Sequence, residues 1–274
     1  MSLKNLLVQQ KKGMIYLSTI EQHLLKKQNE DAVKRSKEKK EPAVHPSGIG
    51  TECLRNLYYQ FFRFPSKPKT AKILKTCDAG TDTHNRYHRY SKEAGILIAS
   101  ELELTDDEYK MRARLDQLVL IDTEDILRLL ELKSMNIDKF TKLMGNPHRD
   151  HIIQANIYLW IINKMFASGK TYYDSFGKKI TVFEEYKKYF PIKNYSIVIE
   201  NRDCQDSEEF AREYDKELTE SVLTKIKDLF VYTDRKELPP RGFGPNDRGC
   251  MFCDQKDICW SFESKAKSEV IDIL

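Results

Sequence analysis

Two sets of residues in this 274-residue chain have the types and spacing to do chemistry. One is a set of cysteines: Cys250, Cys253 and Cys259 form a C-x-x-C-x5-C run near the C-terminus, and Cys53 lies far upstream. Thiolates so spaced suit a metal centre, and one built on all four would clip the two ends of a domain together, closing a very long loop. The other set is Asp116, Glu131 and Lys133. Glu-x-Lys alone means little, because the same spacing recurs at Glu108/Lys110 and Glu185/Lys187. Only Glu131 and Lys133 close an apolar run, "DILRLLELKS", and the run before it, "YKMRARLDQLVLI", carries Asp116.

Read as two strands, these runs can be set in register. A two-residue turn at Thr123-Glu124 would place Asp122 opposite Asp125, and the same register brings Asp116 opposite Glu131. Side chains so placed lie about 5 Å apart on one face, and Lys133, two residues on, shares that face. Facing carboxylates on a partly buried sheet repel unless something positive sits between them, and a divalent cation with oxygen ligands meets that need. Such a site supports phosphodiester hydrolysis, with metal ions activating water and neutralising phosphate charge while Lys133, protonated, stabilises the transition state. A bulge would shift the register. A surface charge pair with Lys133 as counter-ion is the alternative.

Two further features lie near enough in pattern to belong to the same site. His84, in "GTDTHNRYH", could supply an imidazole from a neighbouring helix, with His88 one turn later an equal candidate. Gln154 and Tyr158 are four apart and share one face of an apolar helix, as a polar contact beside the site or as a hydrogen-bonded core pair.

The elements needed to position these groups are legible in outline. Helical spacing runs over residues 2–27, through Leu3, Leu6, Leu7, Met14, Leu17, Ile20, Leu24 and Leu25, with Gly13 a weak point. A charge run ending at Pro42, Pro46 and Gly48 follows, read as a solvated helix end and linker, or as a basic arm for nucleic acid. Helices are expected from residue 51, carrying Cys53, and over 71–94, carrying His84. Strands are expected over 109–121, 125–134 and 195–200, a long helix over 148–168 and an amphipathic helix over 207–232. The segment 170–193, rich in Lys and Tyr, reads as an insertion: a solvated one, or a surface that stacks bases and pairs phosphates. Cys77 and Cys204 have no partner spacing and read as packing residues.

Composition sets the bounds. With 40% hydrophobic and 32% charged residues, the chain reads as an ordinary globular protein. A net charge of +4 permits a nucleic-acid partner without demanding one. No apolar run is long enough to span a membrane and no signal-peptide core is visible, so a reducing cytoplasm is expected, where cysteines serve as ligands rather than disulfides.

Taken in order, "ECLRNLYY" with Cys53, His84, Asp116, "ELK" with Glu131 and Lys133, "QANIY" with Gln154 and Tyr158, and the trio Cys250, Cys253 and Cys259 resemble the RecB-like branch of the PD-(D/E)XK nuclease superfamily. The likeness is to its iron–sulfur members, the CRISPR-associated adaptation exonucleases and AddB-type nuclease domains, and covers roughly residues 47–260. It implies an α/β, restriction-endonuclease-like core with a mixed central sheet flanked by helices. It implies a 4Fe–4S cluster on the four cysteines, joining the N- and C-terminal parts, and Mg²⁺ or Mn²⁺ on His84, Asp116 and Glu131. Gln154 and Tyr158 would support the catalytic site and the DNA strand. Ala113 stands where relatives often carry glycine, and "LRN" follows the first cysteine in place of "PRK". A zinc ion would suit C-x-x-C as well, but one distant cysteine with a compact trio is unlike the paired knuckles of a zinc ribbon.

Residues 1–45, a helical extension and charged linker, lie outside the resemblance and could seat recombination or adaptation proteins; the nuclease domain is expected over 46–274. The expected activity is a metal-dependent exonuclease on single-stranded DNA or DNA ends, in recombination, repair, phage DNA metabolism or CRISPR adaptation. A sequence-indifferent endonuclease and a non-catalytic DNA-end-binding subunit are the alternatives. The intact acidic pair and lysine favour an enzyme.

Overall fold

The structure is a computed structural model that describes residues 15–38, 40–121, 123 and 125–261. The chain divides into two compact units, one holding the residues up to Glu41 together with Pro68–Thr81, the other Pro42–Lys67 and the chain from Asp82 onward.

In the first unit, α1 (Ile15–Lys37) buries no side chain. Its charge-rich second half is made of good helix formers, with Lys26 and Glu30 one turn apart at 3.7 Å, so the helix continues beyond residue 27 to Lys37. Polar contacts tie it to the 68–81 segment. The Lys69 amide donates to Gln28 Oε1 at 2.9 Å, Gln28 Nε2 donates to the Lys69 carbonyl at 3.1 Å, and Lys75 pairs with Glu21 at 2.9 Å. The expected helical positions Leu3, Leu6, Leu7, Gly13 and Met14 lie outside the described residues.

The second unit is built on one mixed sheet of β1 (Leu97–Asp106), β2 (Met111–Ile121), β3 (Ile126–Met135), β4 (Asn194–Asn201) and β5 (Ser207–Glu213), in that spatial order. All neighbours are antiparallel except β3 and β4, which run parallel. A parallel pair requires a long crossover, here containing a short helix over Ile137–Phe140, a long helix over Arg149–Ala167 and another short helix over Val182–Glu185. Before the sheet come short helices over Pro46–Ile49 and Leu54–Phe61, and a helix over Ala71–Glu93 whose residues from Asp82 belong to this unit. After it come helices over Lys216–Arg235, Arg248–Met251 and Lys256–Ser261. In chain order after α1, the helices are α2 (Pro46–Ile49), α3 (Leu54–Phe61), α4 (Ala71–Glu93), α5 (Ile137–Phe140), α6 (Arg149–Ala167), α7 (Val182–Glu185), α8 (Lys216–Arg235), α9 (Arg248–Met251) and α10 (Lys256–Ser261).

Strand alternation assigns the two faces of the sheet. Tyr195, Ile197 and Ile199 of β4 are buried on the α6 side, where Asn156 donates to the Tyr195 hydroxyl at 2.9 Å. Glu200 points the other way and receives Arg86 at 2.5 Å and Thr83 at 3.3 Å from α4, while Ser91 donates to Gln117 of β2 at 2.7 Å. Helix α6 is apolar nearly all round, as a helix covered by a sheet and by α8 must be.

The strands around Asp116 and Glu131, the helix near 71–94, the long helix near 148–168 and the strand near 195–200 form as expected, within two residues at each end. Two expectations are corrected and one strand is new. Residues 207–213 form an edge strand, not the start of a helix: "SEEFARE" has helix-forming residues, but pairing with β4 outweighs local preference. β1 was not foreseen, although Glu101-Leu102-Glu103-Leu104 alternates as a strand should. Cys77 and Cys204 are exposed and pack in no core.

Candidate active site

The β2–β3 ladder carries the expected register, running from Ile121↔Ile126 to Gln117↔Leu130. Asp122 and Glu124 of the turn lie outside the described residues; Asp125 takes a positive φ of 48°. Continued by one step, the register sets Asp116 against Glu131. There the backbone ladder stops, and the Asp116 carboxylate takes its place: Oδ2 accepts the Leu132 amide at 2.7 Å. This bond pins the carboxylate at the fork between the strands and leaves Oδ1 facing His84 Nδ1 of α4 at 3.4 Å.

Glu131 is wholly buried. Lys133 forms an ion pair with its Oε1; neither oxygen has a hydrogen bond of good geometry. Burial, and next the charge of Asp116, hold its carboxyl well above the usual carboxylate range, while Lys133 opposes the shift. An under-satisfied buried carboxylate beside a second carboxylate is what a cation would relieve. Asp116 likewise raises His84 above its usual value, mainly through their hydrogen bond. Exposure falls stepwise across the group, from 31% for the His84 side chain to 13% for Asp116 and none for Glu131, so the site opens to solvent on the His84 side. His84 is thereby distinguished from His88, which joins no such group.

Gln154 and Tyr158 of α6 are both buried and bonded to each other, Gln154 Nε2 donating to the Tyr158 hydroxyl at 2.7 Å. Burial, then the nearby Glu131 and Asp116, push the Tyr158 phenol upward, so it stays a neutral group. His84 thus faces Asp116, Lys133 pairs with Glu131, and Tyr158, bonded to Gln154, feels the charge of both carboxylates.

Two residues were missed. Glu101 of β1 brings a ligand atom within 4.8 Å of those of His84 and Asp116. Its signal was the alternating Glu-Leu-Glu-Leu of the strand that was not foreseen. His151, one turn before Gln154 on α6, feels the charge of Lys133 and has a buried Nδ1 without a hydrogen-bond partner. Burial first, then Lys133 and His148, lower its pKa to about 4, so it is neutral near pH 7. Its spacing from Gln154 on the apolar helix could have marked it.

The cysteines gather elsewhere in the same unit. Cys53, at the N-cap of α3, lines one cavity with Cys250 of α9, with Cys253 between α9 and α10, and with Cys259 of α10. Gly242 allows close approach there, since a Cβ at that position would lie 3.3–3.5 Å from the Cα, Cβ and Sγ of Cys53. The cavity is rimmed by N–H groups: Trp260 Nε1 donates to Cys250 Sγ at 3.2 Å, and Arg55 Nη1 lies 4.0 Å from Cys259 Sγ. Arg241 stacks over Trp260 at 4.2 Å from its ring centre, and the buried Tyr59 hydroxyl has no hydrogen-bond partner of good geometry. Among the described residues, the trio whose ligand atoms all lie within 4.8 Å of one another is His84, Glu101 and Asp116, so no three cysteine sulfurs are gathered that closely.

No protein-family model matches the chain, and no curated protein matches it. Among solved structures, SSO0001 is similar over 88% of this chain and 96% of its own, with 17% identity and a TM-score of 0.49. LHK-Exo, an alkaline exonuclease from Laribacter hongkongensis, is similar over 71% of this chain and 89% of its own, with 15% identity and a TM-score of 0.47. The same exonuclease in complex with dAMP gives 16% identity and a TM-score of 0.45 over the same shares. Likenesses at this level assign neither a family nor an activity to this chain. Among the described residues, no helix is long and apolar enough to cross a membrane.

Proposed function

We propose that this protein is a divalent-metal-dependent DNA exonuclease acting on single strands or ends. The observation that carries the reading is the meeting of His84, Asp116, Glu131 and Lys133 at the β2–β3 fork under Gln154 and Tyr158. The residues fit Mg²⁺ or Mn²⁺: a buried carboxylate whose one charge partner is Lys133 lies near a second carboxylate, which an imidazole faces. His84, Asp116 and Glu131 would hold the ion, which when bound activates water and offsets phosphate charge.

The chain's own groups do the rest. The Leu132 amide holds Asp116, so its other oxygen is aimed at the open side of the site. Water attacks phosphorus and gives up a proton to solvent, the bridging P–O bond breaks, and the departing oxygen takes up a proton from solvent. Lys133, with its ammonium beside Glu131, supplies positive charge where the phosphate oxygens gain negative charge. The neutral Tyr158, positioned by Gln154, offers a hydroxyl rather than a charge to the substrate side.

The four cysteines would carry a 4Fe–4S cluster. A single zinc ion at about 2.3 Å from each sulfur would draw them to roughly 3.8 Å apart. The four thiols lining one cavity suit either centre, and the cluster reading rests on one distant cysteine joined to a compact trio. The N–H groups of Trp260 and Arg55 suit thiolate ligands.

End-labelled linear single-stranded DNA, incubated beside a closed single-stranded circle with Mn²⁺, tests the activity. Loss of the linear strand, survival of the circle and an inactive Lys133→Ala variant are expected. Cleavage of the circle would replace exonuclease with endonuclease. A folded protein that binds DNA but cuts neither would replace the enzyme with an end-binding subunit.

A further inference from the structure

Within the 170–193 segment, residues 172–180 fold back on themselves as a short ribbon. The Ile180 amide donates to the Tyr172 carbonyl at 2.8 Å, Tyr173 bridges Lys179, and the Asp174 amide donates to the Lys178 carbonyl at 2.9 Å. The base of the ribbon is anchored in the core, where Ile180 is buried and the Tyr172 ring meets Phe183 edge-on at 5.8 Å. The tip is held as firmly. Asp174 Oδ1 accepts the amides of Phe176 and Lys178 at 2.9 and 2.8 Å, and the Asp174 carbonyl accepts the Gly177 amide at 2.9 Å. Gly177 closes the turn with a φ of 76°.

This fixed turn presents a ring to solvent. Phe176 is 94% exposed, more than any other large apolar side chain among the described residues, and Tyr173 of the same ribbon is 60% exposed. Burying such a ring is worth about 2 kcal/mol, which the free protein leaves unused. The ribbon also reaches the acidic site: Lys178 and Lys179 line one groove with Ser100, Glu101 and Leu102 of β1, and Glu101 adjoins His84 and Asp116. A single strand in that groove offers bases and phosphates. Rings take any base by stacking, whereas lysines take phosphates. Glu101, Glu103, Asp174 and Glu185 outnumber Lys178 and Lys179 along the groove, so the neutral base suits this wall better than the phosphate does.

We propose that Phe176 stacks on an unpaired base of the bound strand and so holds the strand beside the groove that Glu101 lines. The inference deepens the nuclease reading and rests on it for the choice of a nucleic-acid strand as occupant. Because the turn is bonded in advance, little ordering of the chain opposes the contact.

Binding of a dye-labelled oligothymidylate to the full-length protein without divalent ions, read by fluorescence anisotropy, tests the proposal apart from cleavage. Phe176→Ala should bind about tenfold more weakly, as loss of one stacked base does, and Phe176→Trp should bind as the wild type does. Both variants should melt with the wild type, since so exposed a ring contributes no packing. Abasic sites placed one at a time along the strand should locate the stacked base: the site that costs the wild type about tenfold should cost Phe176→Ala nothing. Equal binding by wild type and Phe176→Ala, losses that simply add, or failure of the wild type to bind the strand would overturn the proposal. Equal binding together with a dimer that Phe176→Ala splits would overturn it in favour of a second copy of the chain. A strand held by Phe176 but never cut in Mn²⁺ would leave the proposal standing while the nuclease reading falls. A strand bound and cut equally by wild type and Phe176→Ala would do the reverse.

Discussion

The acidic site and the cysteine cavity share one unit of the chain but are assembled in opposite ways. Glu101, Asp116, Glu131 and Lys133 come from three consecutive strands, held by their register and by the bond from Leu132 to Asp116. The four cysteines come from the two ends of the unit, and the cavity they line joins α3 to the stretch after α8. The first site is a place where a stable sheet holds charges against their mutual repulsion. The second is a place where four cysteines from the ends of the unit line one cavity. Loss of a group should therefore cost function in one and folding in the other.

Cys253→Ala sets the largest expected effect. The proposed cluster would close so long a loop that it contributes several kcal/mol, so the variant should lack the visible absorbance expected of the wild type and melt about 10 °C lower, or fail to stay soluble. A colourless variant of unchanged melting temperature would erase the contrast between the sites. Lys133→Ala should do the opposite: cleavage falls at least about a hundredfold, with the melting temperature within a few degrees of wild type. Matched losses of activity and stability would show that the acidic site is structural after all.

A pH series extends the contrast to α6. The lowered pKa of His151 means that the unfolded chain binds its proton more readily than the folded one, so this residue stabilises the fold above its ordinary value. That contribution should be lost as the pH falls from about 6.5 to about 4. His151→Gln should show a shallower decline in melting temperature over that window. A parallel decline in both proteins would mean that His151 is solvated.

The smallest effect concerns the 170–193 insertion. Lys179 is paired with Glu184 at 2.8 Å, and Lys188 lies 3.5 Å from Asp125, so these two are already neutralised within the fold. Lys170, Lys178 and Lys187 are exposed and are the better candidates for phosphate contact. Replacing all three by Ala should weaken single-strand binding and flatten the plot of log affinity against log salt by about 2. An unchanged slope would make the insertion a solvated loop.

The legible parts were those set by short-range periodicity. Asp116 could be placed against Glu131 because side-chain alternation has a period of two and a tight turn leaves little freedom of register. Gln154 and Tyr158 could be placed on one face because four residues make about one helical turn. The 207–213 segment misled because its local preference is helical, and the strand exists only through its partner β4. Glu101 was hidden for a related reason: its strand was not foreseen, and its own φ of 52° departs from strand geometry.

Residue types and spacing alone specified which groups could ligate metal, which strands would carry the acids and which cysteines could act together. Tertiary structure alone decided that His84 rather than His88 meets Asp116, that Glu101 joins them, and that Cys53 reaches the distant trio. Those choices depend on how helices cross a sheet and where chain ends return, and neither is encoded within the span of a helical turn or a strand pair.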